Sequence, residues 1–281
     1  MQVILAKFAG ACYGVQRALD MVDGLVEAGR HVSTIGPLIH NPQVVSKLEE
    51  AGVQVAASPE DIEAGTAVIH SHGVAPQVKA DLVARGLEVA DATCPHVARA
   101  QAAAAELAQA GCRVLVVGEA GHPEVEALLA CAKDAGAAAD VVLAPEDIPQ
   151  GLYDPVGVVV QTTQTRDNLD AILDALQARG LAPQIKDTIC SATRKRQKTA
   201  SELASKVDAM VVIGGRNSSN TTRLSEICSK ACPKTFHVES PDEVGALDLS
   251  GCTVIGVTAG ASTPEDQIED VVRLLEAWGE R

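Results

Sequence analysis

Three pairs of residues recur at one interval: Cys12 and His40, Cys94 and His122, and Cys190 and Ser218 are each 28 residues apart. The steps between these cysteines are 82 and 96 residues, and 91 residues follow Cys190. Such a repeat constrains the fold before any propensity is read, because each copy has to rebuild the same supersecondary unit. Short β-branched runs, such as Val114-Leu-Val-Val-Gly118, Val156-Gly-Val-Val-Val160 and Met210-Val-Val-Ile-Gly214, alternate with amphipathic stretches such as 166–176. The alternation predicts an α/β fold with parallel sheets buried between helices. We read three similar small units, 13–94, 95–190 and 191–281, arranged as a pseudo-threefold trefoil around a common centre. The third lacks a leading strand, and residues 1–12, with Met1–Leu5 as a strand, are expected to complete it.

Folds of this class place ligands at the C-terminal ends of their strands. Those ends carry, in order, Cys12, His40, His72, Cys94, His122, Thr162, Cys190, Ser218 and Ser262. Cys12, Cys94 and Cys190 each follow a strand and precede a helix, and Pro95 suits a first helical turn. The positive end of a helix dipole favours thiolate there. One such cysteine alone would read as a small buried hydrophobe; three in register reverse the odds. Their wide spacing fits neither a CxxC zinc ribbon nor a ferredoxin run. It suits a [4Fe–4S] cluster at the junction of three units, with three irons anchored and one open. Cys112, Cys131, Cys228, Cys232 and Cys252 read as packing residues.

The polar tips point to an anion. His40, His72 and His122 stand at strand-to-helix turns, and the last third offers Asn217-Ser-Ser-Asn220 and Thr258-Ala-Gly-Ala-Ser-Thr263. Helix ends backed by such donors make a diphosphate site, although each Ser, Thr or Asn taken singly reads as an N-cap. Glu124, two residues after His122, suits dipole complementation and proton donation equally well; Glu126 suits the first role.

Composition narrows the partners. The chain carries 37 acidic and 23 basic side chains, a formal charge of −14, and five aromatics: Phe8, Tyr13, Tyr153, Phe236 and Trp278. Nucleic-acid binding needs phosphate neutralisation or stacking platforms, and this composition offers neither. No apolar run approaches the roughly 20 residues that span a bilayer, and the N-terminus reads as a strand rather than a signal peptide. A cytoplasmic protein with reduced thiols is expected.

At these residues the sequence resembles the LytB family of 4-hydroxy-3-methylbut-2-enyl diphosphate reductases, nearly end to end. The resemblance runs through Cys12-Tyr-Gly-Val-Gln-Arg-Ala18, Ile39-His-Asn41, Ser71-His-Gly-Val74, Asp91-Ala-Thr-Cys-Pro95 and Gly121-His-Pro-Glu-Val-Glu126. It continues through Gln161-Thr-Thr163, Ile189-Cys-Ser-Ala-Thr193 with Arg196-Gln197, Asn217-Ser-Ser-Asn220 and Thr258-Ala-Gly-Ala-Ser262. It implies that Cys12, Cys94 and Cys190 ligate one [4Fe–4S] cluster and that His40, His72, His122, Ser218, Ser219, Asn220 and Ser262 bind the diphosphate. Thr162 is then the hydroxyl near the substrate's alcohol, and Glu124 the proton source. The implied reaction removes that alcohol with two electrons and two protons, drawn from a ferredoxin- or flavodoxin-type donor. The chain departs from the family at Ala11, Tyr13 and Ser191, all beside cluster cysteines. From the residues alone, an iron–sulfur hydro-lyase, a zinc protein and an iron–sulfur sensor stay open.

Overall fold

The computed structural model describes residues 1–278; the expected end of the third unit at 281 lies outside them. In chain order the strands are β1 (Gln2–Leu5), β2 (Val32–Ile35), β3 (Gln54–Ala56), β4 (Thr66–Ile69), β5 (Glu88–Asp91) and β6 (Arg113–Val117). They continue with β7 (Ala139–Val142), β8 (Val156–Val160), β9 (Gln184–Lys186), β10 (Ala209–Ile213), β11 (Thr235–Val238) and β12 (Val254–Ala259). The helices are α1 (Tyr13–Glu27), α2 (Pro42–Glu50), α3 (Pro76–Ala84), α4 (Pro95–Gln109), α5 (Pro123–Asp134), α6 (Arg166–Ala178), α7 (Ser191–Ala204), α8 (Ser219–Ala231) and α9 (Glu265–Trp278). The strands form three four-stranded sheets, β1-β12-β10-β11, β3-β2-β4-β5 and β7-β6-β8-β9. Every pairing is parallel, so the α/β reading with parallel sheets holds.

The chain divides into two compact units. One holds Met1–Val15, His40–Val44 and Ser191 onward; the other holds Gln16–Ile39 and Val45–Cys190. In the first, β1 pairs with β12 from Gln2 opposite Val254 to Leu5 opposite Val257, so the N-terminal strand forms one edge of the C-terminal sheet.

Continuous apolar runs explain the central strands. All residues of β2, β4, β8 and β10 are buried, as parallel strands covered on both faces require. With few aromatics, the cores are filled by Ala, Val and Leu. In the second unit Ala100, Ala103, Ala104 and Leu107 of α4 pack with Val125, Leu128 and Ala132 of α5 over β6 and β8. Gly157 in β8 allows that close approach: a Cβ there would stand 2.9 Å from Leu107 Cδ2. Cys112 lies in the same core, Cys228 and Cys232 in another, and Cys131 and Cys252 pack beside cores. Burial pushes the Cys228 thiol up to about 12 and also raises Cys112 and Cys131, so these sulfurs keep their protons. Among the described residues no helix is long and apolar enough to cross a membrane.

Candidate active site

The repeat is visible as a repeated turn. The backbone N–H of Cys12 donates to Ala261 O, that of Cys94 to Ser71 O and that of Cys190 to Thr162 O, each at 3.0 Å. Each accepting carbonyl lies two residues beyond the end of β12, β4 or β8. The same turns close on themselves through Thr263 N to Gly260 O, Gly73 N to His70 O and Gln164 N to Gln161 O, at 3.0–3.2 Å. This register sharpens the sequence reading at one place. Ser262, His72 and Thr163 are equivalent, and Thr162 stands one position earlier, opposite Ser71 and Ala261.

Each cysteine reaches its turn from the start of a helix. Cys94 is the N-cap of α4 with Pro95 next, while Cys12 and Cys190 immediately precede α1 and α7. All three are half-buried and free of disulfides. A set of three reduced thiols at helix N-termini is a donor set that fits an iron–sulfur cluster. Two arginines hold the peptides ahead of these cysteines. Arg196 of α7 donates through Nη2 to Gly10 O at 2.7 Å, and Arg17 of α1 donates to Asp91 O at 3.2 Å and Thr93 O at 3.3 Å. Neither arginine carries a role in the sequence pattern; the one signal is an Arg five or six residues after a cysteine.

In the second unit the structure brings together Cys94, Cys190, His72, His122, Glu124 and Thr162. The His72 and His122 rings meet edge to face with centroids 5.5 Å apart. His122 is the N-cap of α5, its Nδ1 accepting from Glu124 N at 3.1 Å, which places the ring proton on Nε2. Glu124 is 1% exposed. Its Oε1 accepts the Thr162 backbone N–H at 2.6 Å, and its Oε2 accepts the Thr162 hydroxyl at 2.9 Å. Burial raises its pKa to about 7, opposed by those two bonds. Near neutrality such a carboxyl is poised between donor and acceptor. Because Thr162 O accepts the Cys190 N–H, a single residue ties the titrating acid to a cysteine turn. Thr188, two residues before Cys190, fixes the same turn: its hydroxyl bonds Val160 O and accepts Val160 N.

In the first unit the structure brings together Cys12, His40, Ser218, Ser219, Asn220 and Ser262. The Ser262 hydroxyl donates to His40 O at 3.1 Å. Asn41 caps α2 by accepting from Gln43 N and Val44 N, and its amide donates to Ser262 O and Gln267 Oε1 at 3.0 Å. Ser218 caps α8, accepting from Thr221 N. The start of α8 lies against the Ser262 turn because residue 260 is glycine; a Cβ there would stand 2.0 Å from Thr221 Oγ1. Neither α2 nor α8 carries an acid in its first turn. Asn220 is 5% exposed, and neither its Oδ1 nor its Nδ2 has a hydrogen-bond partner among the described residues. An unpaired buried amide is costly, and beside an acid-free helix N-terminus its donor is one that an anion can satisfy.

Comparison with known proteins gives a consistent result. The family model described as LytB protein matches residues 3–276. A 4-hydroxy-3-methylbut-2-enyl diphosphate reductase of Geotalea uraniireducens is 44% identical over 276 residues, covering 98% of this chain and 97% of the relative. The Geobacter sulfurreducens protein of the same name is 42% identical over 282 residues, covering 99% and 98%. A solved structure of (E)-4-hydroxy-3-methyl-but-2-enyl diphosphate reductase, the terminal enzyme of the non-mevalonate pathway, is 37% identical with a TM-score of 0.72, covering 99% of this chain and 100% of that one. A reductase structure from Plasmodium falciparum shares the fold, with a TM-score of 0.91 at 24% identity over 98% of this chain and 87% of its own.

Proposed function

The chain belongs to the LytB family, and on that footing we propose that it reduces (E)-4-hydroxy-3-methylbut-2-enyl diphosphate to isopentenyl and dimethylallyl diphosphates. This is the last step of the methylerythritol phosphate route to isoprenoids. One substrate, two electrons and two protons give one five-carbon diphosphate and one water. Cys12, Cys94 and Cys190 would hold a [4Fe–4S] cluster with one open iron. When bound, that group supplies the electrons and a Lewis acid for the substrate's hydroxyl.

The chain's own residues supply the anion site and the proton. Ser218, Ser219, Asn220, Ser262 and His40, with His72 and His122, bind the diphosphate. The acid-free starts of α2 and α8 favour its charge, which matters in a protein whose overall charge repels anions. Thr162 orients the substrate alcohol through its hydroxyl, and Glu124 delivers a proton to the departing oxygen. The observation that carries this reading is the Glu124–Thr162 pair: a buried carboxyl with a pKa of about 7, held by two hydrogen bonds from one residue that also anchors Cys190. The electrons come from a ferredoxin- or flavodoxin-type donor, and the reaction takes place in the cytoplasm. The test is anaerobic turnover with the hydroxylated diphosphate and chemically reduced methyl viologen. Release of both five-carbon diphosphates is expected; an iron–sulfur-loaded protein that releases neither would overturn the reading.

A further inference from the structure

The chain has few aromatics and an excess of acid, and one surface inverts both trends. Residues 1–15 contain Lys7 and no acid, and residues 191–201 contain Arg194, Lys195, Arg196 and Lys198 and no acid. Both segments belong to the first unit. They meet at Phe8, whose ring lies under Lys7 Nζ at 5.7 Å and Lys195 Nζ at 5.6 Å. Phe8 is 39% exposed, Leu5 at the end of edge strand β1 is 49% exposed, and Tyr13, next to Cys12, is 71% exposed. Two of the protein's five aromatics are thus spent on the surface of the segment that carries a cluster cysteine. Arg196 is buried on Gly10 O and Lys198 stands 3.9 Å from Glu202; the cations over the ring are Lys7 and Lys195.

We propose that the Lys7–Phe8–Lys195 face, extended by Leu5, Tyr13 and Lys198, is the docking surface for an acidic one-electron carrier protein. A small aromatic centre rimmed by cations has the anatomy of a transient interface, and the cations complement an acidic partner against the −14 background. The proposal rests on the reductase reading, which requires two electrons per turnover. Each docking event passes one electron from the reduced carrier, which leaves oxidised, so two events complete one C–O cleavage. The residue after the aromatic-cationic segment's last glycine-alanine step is Cys12 itself, so the carrier would dock beside a cluster ligand.

The test separates docking from chemistry. The triple variant Lys7→Glu, Lys195→Glu, Lys198→Glu and the single variant Phe8→Ser are assayed with reduced methyl viologen and, separately, with a purified acidic [2Fe–2S] ferredoxin. With the dye, turnover should stay within twofold of the wild type. With ferredoxin, the triple variant should raise KM for the carrier at least tenfold with kcat held, and Phe8→Ser several-fold. Calorimetric titration of oxidised ferredoxin should show the same loss of affinity, and wild-type affinity should fall as salt rises. Ferredoxin KM and Kd unchanged in the triple variant, or wild-type binding indifferent to salt, would overturn the proposal. So would wild-type protein that binds phosphatidylserine vesicles and not ferredoxin. A wild type that makes no product with the dye sinks the reductase reading instead, and the titration still decides the docking surface.

Discussion

Glu124 and Asn220 occupy one position of the repeat, thirty residues after Cys94 and Cys190 and second in the first turns of α5 and α8. Both are buried. The Glu124 carboxylate is completed from within, by the N–H and hydroxyl of Thr162. The residue matching Thr162 in the C-terminal sheet is Ala261, which has no hydroxyl, and the Asn220 amide has no partner among the described residues. The same scaffold therefore yields a buried carboxyl with two hydrogen bonds in one unit and a buried amide with none among the described residues in the other. Acids in the first turn of α5 complement its dipole, whereas the first turn of α8 has none, so its dipole remains available to a ligand.

The largest effect should come from removing the titrating side of this comparison. Glu124→Gln keeps both partners, since its oxygen still accepts the Thr162 N–H and its nitrogen can donate to the hydroxyl. The protein should fold and load iron and sulfide normally while kcat falls about 10²- to 10⁴-fold, the usual worth of a positioned general acid. Iron, sulfide and steady-state turnover measured on one preparation check this; a tenfold loss or less would return Glu124 to a capping role.

Next is a conversion of the amide toward its counterpart. Asn220→Asp places an acid in the first turn of α8, where the dipole rewards it by about 0.3–1 kcal/mol, yet it faces an incoming diphosphate with like charge. We expect kcat/KM for the diphosphate to drop about a hundredfold, with a melting temperature at or below that of the wild type because the new carboxylate is buried without a partner. Asn220→Ala should lose about tenfold, in line with a hydrogen bond to a charged group, with stability intact because no partner is lost. A fall in the stability of Asn220→Ala that tracks its fall in kcat/KM would mean that Asn220 is structural.

The repeat, the strand–helix alternation and the positions of the cysteines were legible because each is carried by residue type and interval. The α/β class followed from buried β-branched runs, and Cys228 and Cys232 read as packing residues although their i, i+4 spacing also offered a metal pair. What stayed hidden depends on distance in space. The partnership of Glu124 with Thr162 spans 38 residues, and nothing local marks Thr162 as the acceptor side of the Cys190 turn. The offset between Thr162 and Thr163 was also invisible, because only backbone pairing fixes which residue ends a strand. The hold of Arg196 on Gly10 crosses 186 residues, and an arginine on a basic helix otherwise reads as solvated.

The titration of Glu124 should also be visible in stability. Its folded pKa of about 7 lies above the ordinary carboxyl value of 4.5, so between those values the native state holds more proton than the unfolded chain, and stability falls as pH rises. The gap corresponds to roughly 3 kcal/mol lost between about pH 4.5 and 8. Other groups contribute to wild type and Glu124→Gln alike. The stability of Glu124→Gln relative to wild type should therefore climb with pH across this window, by urea denaturation at several pH values. A difference that stays level would place the carboxyl's pKa near its ordinary value.

The smallest change tests the partner rather than the acid. Thr162→Val keeps the backbone N–H to Glu124 Oε1 and removes only the hydroxyl on Oε2, and a single such bond contributes about 1 kcal/mol to stability. The hydroxyl currently favours the ionised carboxylate, so its loss should push the Glu124 pKa above about 7. If the protonated form does the work, the alkaline limb of the kcat profile, expected near pH 7 in the wild type, should move upward in Thr162→Val. Thr162→Ser should restore the wild-type limb, since it returns the donor without the methyl group. A valine variant that loses turnover with its limb unmoved would show that Thr162 acts on the substrate alone. The contrast with Ala261 and Asn220 would then lie in how each unit meets its ligand, and the proton supply would have to be sought in groups other than this pair.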